Sequence, residues 1–222
     1  AASSAGAVDP VFRDTLPVVV SGNPVQVVPM SINNAGGIDL AVLTADAPLN
    51  SGRIVSLLGA GDGTFTVGTQ SGQALALGYA VSNMVAGDVT GDGRADLVVS
   101  ALQQSTAVPP GPSVARILLI RGNPAGGFLA PTFLAPIAAT TSSPLIELTD
   151  ATGDGKPDVV YVERPTNNLY LLKGNGTGGF TSTGAPIAVS GPAGLAAGDL
   201  NRDGRGDIIV MTSATVGTLL AN

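Results

Sequence analysis

Short apolar runs alternate along the whole chain with segments rich in Gly, Asp, Asn and Pro. Runs such as Ile54-Val55-Ser56-Leu57-Leu58, Ile117-Leu118-Leu119-Ile120 and Leu169-Tyr170-Leu171-Leu172 lead into Gly-rich turns, the signature of short strands. No segment sustains a 3.6-residue apolar period between helix caps, so helices are expected to be scarce. None of the runs approaches the ~18 uninterrupted apolar residues of a membrane-spanning helix.

The pattern repeats. An Asp-rich loop precedes an apolar run three times: DVTGDGRAD at 88–96, DATGDGKPD at 150–158 and DLNRDGRGD at 199–207. A degraded copy, SINNAGGID, occupies 31–39, and the four starts lie 57, 62 and 49 residues apart. A second feature is a Gly-rich turn closing on Phe: Gly61-Asp62-Gly63-Thr64-Phe65, Ala125-Gly126-Gly127-Phe128 and Thr177-Gly178-Gly179-Phe180. Gly supplies the positive φ of tight hairpins, and the Phe is placed to anchor the returning strand. Each repeat therefore reads strand, Asp loop, strand, connection, strand, Gly turn, strand. A four-stranded antiparallel unit of about 50 residues is the size of one propeller blade. The rival architecture is a β-sandwich, in which such self-similarity is not expected.

Loops of DxTGDGxxD or DxNxDGxxD type, paired with Gly-rich turns ending in Phe, resemble FG-GAP repeats, also called VCBS-type or integrin-α-like propeller repeats. The resemblance runs from about Phe12 to Asn222. It implies an all-β fold, a β-propeller of about four four-stranded antiparallel blades, with calcium in the loop joining the first two strands of a blade. Familiar members have seven blades, whereas this chain has about four repeats. On this reading residues 1–222 form a single propeller domain, with repeats at about 23–77, 78–138, 139–189, and 190–222 plus 11–22. Pro17-Val18-Val19-Val20-Ser21-Gly22 parallels Pro186-Ile187-Ala188-Val189-Ser190-Gly191, and the last repeat stops one strand short after Gly217-Thr218-Leu219-Leu220. The N-terminal strand is thus expected to complete the last blade, within the chain or between chains, because an unpaired edge invites association.

Calcium takes about six to eight oxygen ligands in a flexible cage. Positions 1, 3 and 5, the carbonyl of position 7 and the carboxylate of position 9 give the expected ligand set. These are Asp88, Thr90, Asp92, Arg94 and Asp96; Asp150, Thr152, Asp154, Lys156 and Asp158; and Asp199, Asn201, Asp203, Arg205 and Asp207. Gly93, Gly155 and Gly204 at position 6 permit the sharp turn. An EF-hand needs an acid at position 12; Val99, Tyr161 and Val210 stand there instead. Asx-turns explain one Asp-Gly pair, not three Asp at fixed offsets in three copies. About three calcium ions per chain are expected. The 31–39 copy has Ser31 and Ala35 at positions 1 and 5, keeps only Asn33 and Asp39, and is expected to hold none.

Composition moves the reading away from catalysis. Charged residues are only 12%, yet nine of the 16 acids sit in the three loops, where they repel unless a cation lies among them. A net charge of −6 with no basic run argues against nucleic acid. The chain has no His and no Cys, which excludes disulfides, imidazole and thiolate metal sites and the usual nucleophile–base pairs. No GxSxG elbow is present, and nothing in the spacing pairs Glu147 with Glu163, the only two Glu.

Three calcium ions would bring the formal charge from −6 to zero, and a near-neutral surface rich in Ala, Gly and Val favours association. The expected function is a secreted, calcium-binding structural or interaction protein. It would associate with itself, as an extracellular oligomer or filament, or with another extracellular protein. The alternative is a carbohydrate-binding (lectin-like) or adhesion module, against which the lack of Trp and the count of three Tyr weigh. The opening Ala1-Ala2-Ser3-Ser4-Ala5 fits the mature end left by a signal peptidase and equally an arbitrary boundary; abundant extracellular calcium tips the reading toward the first.

Three smaller motifs have plainer readings. Arg205-Gly206-Asp207 spells an integrin-recognition tripeptide, but its Asp belongs to a calcium loop. Asn175-Gly176-Thr177 fits the N-glycosylation pattern and also the need for a turn former there. The stretch Val108-Pro109-Pro110-Gly111-Pro112 reads as an exposed loop.

Overall fold

The apolar runs become strands that bury alternate side chains against a neighbouring sheet. A computed structural model describes residues 17–33, 35, 37–46, 51–68, 73–74, 79–103, 113–139 and 142–222, and among the described residues every regular element is a strand. The first sheet holds β1 (Asn23–Met30), β2 (Asp39–Asp46), β3 (Ser51–Gly59) and β4 (Phe65–Val67) in that order, with the short β5 (Gln73–Ala74) also paired to β3. The second holds β6 (Tyr79–Gly87), β7 (Asp96–Gln103), β8 (Val114–Ile120) and β9 (Thr132–Ala139). The third holds β10 (Leu145–Thr149), β11 (Asp158–Glu163), β12 (Asn168–Gly174) and β13 (Phe180–Ala188), and the last β14 (Pro192–Gly198), β15 (Asp207–Thr212) and β16 (Val216–Leu219).

All pairings are antiparallel between sequence neighbours, β5 excepted. Each sheet is therefore a meander that follows the repeat. The Asp-rich loop joins first strand to second in every sheet, and the Gly turn joins third to fourth in the first three. Phe128 is buried, and Phe65 and Phe180 pack partly buried against their clusters, as anchors of the returning strand should. The Pro-rich stretch 108–112 lies outside the described residues.

The sheets face one another in chain order, with separate apolar clusters at the junctions. Leu43 and Ile54 of the first sheet pack with Met84, Leu97 and Leu118 of the second. Val98, Ile117 and Leu119 meet Ile146, Val159 and Tyr161 of the third. Val160 and Leu169 of the third meet Ile208 and Val210 of the last. Second strands are consequently buried on both faces, and all six residues of β11 are buried.

First strands of successive sheets adjoin, and side-chain amides stitch two of these junctions. Gln26 of β1 accepts from the Met84 N–H at 2.6 Å and donates to the Met84 carbonyl at 2.8 Å. Asn83 of β6 accepts from the Ile146 N–H of β10 at 3.3 Å. Both amides stand five residues before their Asp-rich loop. Each also follows a bulge in its strand, which turns the side chain toward the neighbouring sheet.

Among the described residues, the last sheet is not completed from within the chain. It has three strands among the described residues, and residues 17–22 do not pair with it. Val18 and Val20 pack instead on Val42, Val55 and Leu57 of the first sheet, where they cover an apolar face that would otherwise meet water. Residues 11–16 of the expected N-terminal strand lie outside the described residues.

Candidate metal centre

The three intact loops share one backbone frame. Position 4 and position 6 adopt positive φ in each: 70° and 79° at Gly91 and Gly93, 70° and 78° at Gly153 and Gly155, 64° and 85° at Arg202 and Gly204. Five of the six are Gly, which enters this region without steric cost. The frame curls the main chain so that successive amides point at the position-1 carboxylate. Asp88 Oδ1 accepts from Gly91 at 2.7 Å and Asp92 at 3.2 Å, and Oδ2 from Gly93 at 2.8 Å. Asp150 accepts from Asp154 at 3.1 Å and Gly155 at 2.7 Å. Asp199 accepts from Arg202, Asp203 and Gly204 at 2.6, 3.2 and 3.0 Å.

Position 5 lies at the exposed tip. Its carboxylate accepts from the position-7 amide at 2.9, 3.1 and 2.9 Å in Asp92, Asp154 and Asp203. Basic side chains gather there. The Lys173 ammonium stands 3.1 Å and the Lys156 ammonium 3.9 Å from Asp154, and Arg94 stands 3.5 Å from Asp92. Lys173 is the main reason that the Asp154 carboxyl is held below its usual range. The Arg205 amide and the Asn201 side chain do the same for Asp203.

Position 9 is the first residue of each second strand, at Asp96, Asp158 and Asp207. Asp96, Asp158 and Asp207 are fully buried, and both oxygens of each are taken up by main-chain amides. Asp96 Oδ2 accepts from Val89 and Thr90 N–H at 3.1 Å each and from the Thr90 hydroxyl at 3.0 Å, while Oδ1 accepts from Gly122 at 2.9 Å. Asp158 accepts from Thr152 at 3.0 Å and Gly174 at 2.8 Å. Asp207 accepts from Leu200 and Ala221 at 2.8 Å each. Burial pushes the Asp96 carboxyl up, against the hydrogen bonds that pull it down.

The degraded copy keeps this feature alone. Asp39 is fully buried and accepts from Ile32, Asn33 and Gly59 at 2.7, 3.1 and 2.9 Å. In the first three sheets a glycine at or just past the end of the third strand belongs to the same device. A Cβ on Gly59 or Gly174 would run into the position-8 carbonyl of Ile38 or Pro157, and one on Gly122 would lie 2.9 Å from the Ala95 carbonyl. Sequence reasoning missed these three glycines. Their place two or three residues before each Gly turn was the available signal.

The donor set fits a hard cation. Each loop offers carboxylate, hydroxyl or amide, and carbonyl oxygens, without nitrogen or sulfur ligands. The Thr152 hydroxyl oxygen is buried without a hydrogen-bond partner, an arrangement that costs free energy and leaves that oxygen open to a ligand. As they stand, no three acidic side chains among the described residues converge closely enough to hold an ion.

Neighbouring loops touch. The Gly206 amide donates to the Asp150 carbonyl at 2.8 Å, and Arg205 donates to the Thr152 carbonyl at 3.4 Å. With Gly206 and Asp207 buried, the Arg-Gly-Asp tripeptide is used in packing and is not presented to a receptor. Asn175 acts as the turn former: its Oδ1 accepts from Thr177 N–H, the Thr177 hydroxyl and Gly179 N–H at 2.8 to 2.9 Å. Glu163 is buried and accepts from the Thr166 hydroxyl at 3.0 Å. Burial pushes the Glu147 carboxyl up.

The profile of the FG-GAP-like repeat matches residues 32–99 and 150–210, more than half of the chain. No curated protein sequence matches the chain.

Proposed function

The chain belongs to the FG-GAP-like repeat family, and we propose that it is an extracellular calcium-binding β-propeller that works as an interaction module. The observation that carries the reading is the repetition of three acids at positions 1, 5 and 9 on one shared backbone frame, with oxygen-only donors around them. Asp88, Thr90, Asp92 and the Arg94 carbonyl would hold the first ion. Asp150, Thr152, Asp154 and the Lys156 carbonyl would hold the second, and Asp199, Asn201, Asp203 and the Arg205 carbonyl the third. The position-9 carboxylates Asp96, Asp158 and Asp207 retain one lone pair on Oδ1, because that oxygen accepts a single amide, and complete each set.

A bound ion supplies charge neutralisation and nothing chemical. It replaces repulsion among three carboxylates with attraction and rigidifies the loop edge of the sheets. Three ions would offset the net charge of −6. Val25 and Val27 are 45% and 54% exposed on β1, and Met211 and Val216 are 49% and 67% exposed in the last sheet. Such apolar side chains on a neutralised surface support self-association. Four sheets standing side by side with adjoining first strands support the propeller, with each sheet one blade.

Calorimetric titration tests the reading. The unaltered protein should bind about three ions per chain, and Asp92→Ala, Asp154→Ala and Asp203→Ala should each remove one. At free calcium tenfold above Kd, each site adds about 1.4 kcal/mol of stability, so melts in calcium and in chelator should separate by many degrees. Superimposable melts together with no binding heat would sink the proposal. Sedimentation velocity with and without calcium reads the self-association directly.

A further inference from the structure

The position-9 carboxylate has a role that the calcium reading does not need. In all four repeats it is fully buried, and it joins two places far apart in sequence. Oδ2 takes the first amides of its own loop, and Oδ1 takes an amide at the end of the third strand, at Gly59, Gly122, Gly174 or Ala221. The first repeat is the informative case. It lacks the acids at positions 1 and 5, so a metal has little to hold it, yet Asp39 makes the same bridge from loop to third strand, here through three amides at 2.7 to 3.1 Å. A buried carboxylate is costly unless its oxygens are satisfied, and here main-chain donors satisfy it without a cation.

We infer that Asp39, Asp96, Asp158 and Asp207 are metal-independent positioning residues, which clamp the loop to the third strand and so set the loop frame before any ion arrives. The glycines fit this role. Gly59, Gly122 and Gly174 let the third strand pass against the position-8 carbonyl closely enough for its amide to reach the carboxylate. For the three intact loops the inference deepens the calcium reading and rests on it; at Asp39 it stands alone. Four clamps serve three proposed ions, so the two roles separate by repeat.

Amide hydrogen exchange of the full chain, followed by NMR in excess chelator and again in calcium, tests it. The Gly59, Gly122, Gly174 and Ala221 amides should be protected in chelator and little changed by calcium. Asp39→Asn should speed exchange at Gly59 and Ile32 by tenfold or more in both conditions, with the calcium count unchanged. Asp96→Asn should do the same at Gly122 and Val89 in chelator. Should the Asn variants fail to fold, the unaltered protein in chelator still decides. Four amides that exchange freely in chelator and become protected only with calcium would overturn the inference, because the ion and not the carboxylate would then be ordering the loop. The calcium reading fails differently, by absence of binding heat with the amides protected throughout.

Discussion

Replacing Gln26 by Met keeps the length of the side chain and removes both groups that Met84 bonds across the junction of the first two sheets. Met84 is wholly buried, and the two contacts are short, 2.6 and 2.8 Å. A hydrogen bond of this kind contributes about 0.5–1.5 kcal/mol net, and an unpaired buried donor or acceptor costs about 1–3 kcal/mol. Gln26 itself is only half-buried, so water relieves part of the loss, and the expected destabilisation is about 2–3 kcal/mol. Asn83→Leu removes one longer bond, 3.3 Å to Ile146, and should cost about half as much. Urea denaturation followed by circular dichroism gives both values. The stitch contains no metal, so the losses should be equal in calcium and in chelator. A cost below about 0.5 kcal/mol for Gln26→Met, or a larger cost for Asn83→Leu, would show that the amides do not hold the junctions.

Gly174→Ala should destabilise by about 1–3 kcal/mol, the range for overpacking, since the new methyl meets the Pro157 carbonyl; Gly198→Ala, where a Cβ meets nothing within 4 Å, should be near neutral in the same denaturation assay. Glu147→Gln should stabilise the protein at neutral pH. Burial raises the folded carboxyl above its ordinary 4.5, so the buried charge costs stability as pH rises through that window, and the gain should vanish in melts run below about pH 4. Tyr161, pushed up to about 12 by burial and then by Glu163 and Tyr170, should ionise in a late phase of an ultraviolet pH titration, and Tyr161→Phe should remove its share of that phase.

The local half of the fold was legible. Turn chemistry and hairpin spacing are encoded within a few residues, so the Asp-rich loops, the Gly turns and their flanking strands stand where the repeat predicts. What bridges distant segments was harder to see. Gln26 and Met84 are 58 residues apart, and nothing in either strand announces the pair, although the shared offset of Gln26 and Asn83 before their loops was there to compare. The second contact of position 9 was hidden for a related reason: its partners at Gly122 and Gly174 lie 26 and 16 residues away, beyond any loop motif. The segment around Val18 and Val20 shows the limit of matching strings: it resembles the stretch around Ile187, yet the apolar face nearest to it is that of the first sheet.

Because each junction has its own apolar cluster, strength in this protein is distributed like that of a stack of plates. A nearest-neighbour array loses its weakest interface first and fails one plate at a time. The junction of the third and last sheets has a smaller buried cluster than the other two junctions, and a cleft of about 430 Å³ remains there, walled by Val160, Leu169, Leu171, Ile208 and Leu219. Cracks should therefore open there, and protease nicks should appear in the last sheet while the first two still resist. Damage at that end would go unnoticed at the other, leaving a loop such as 88–96 intact on a partly peeled molecule.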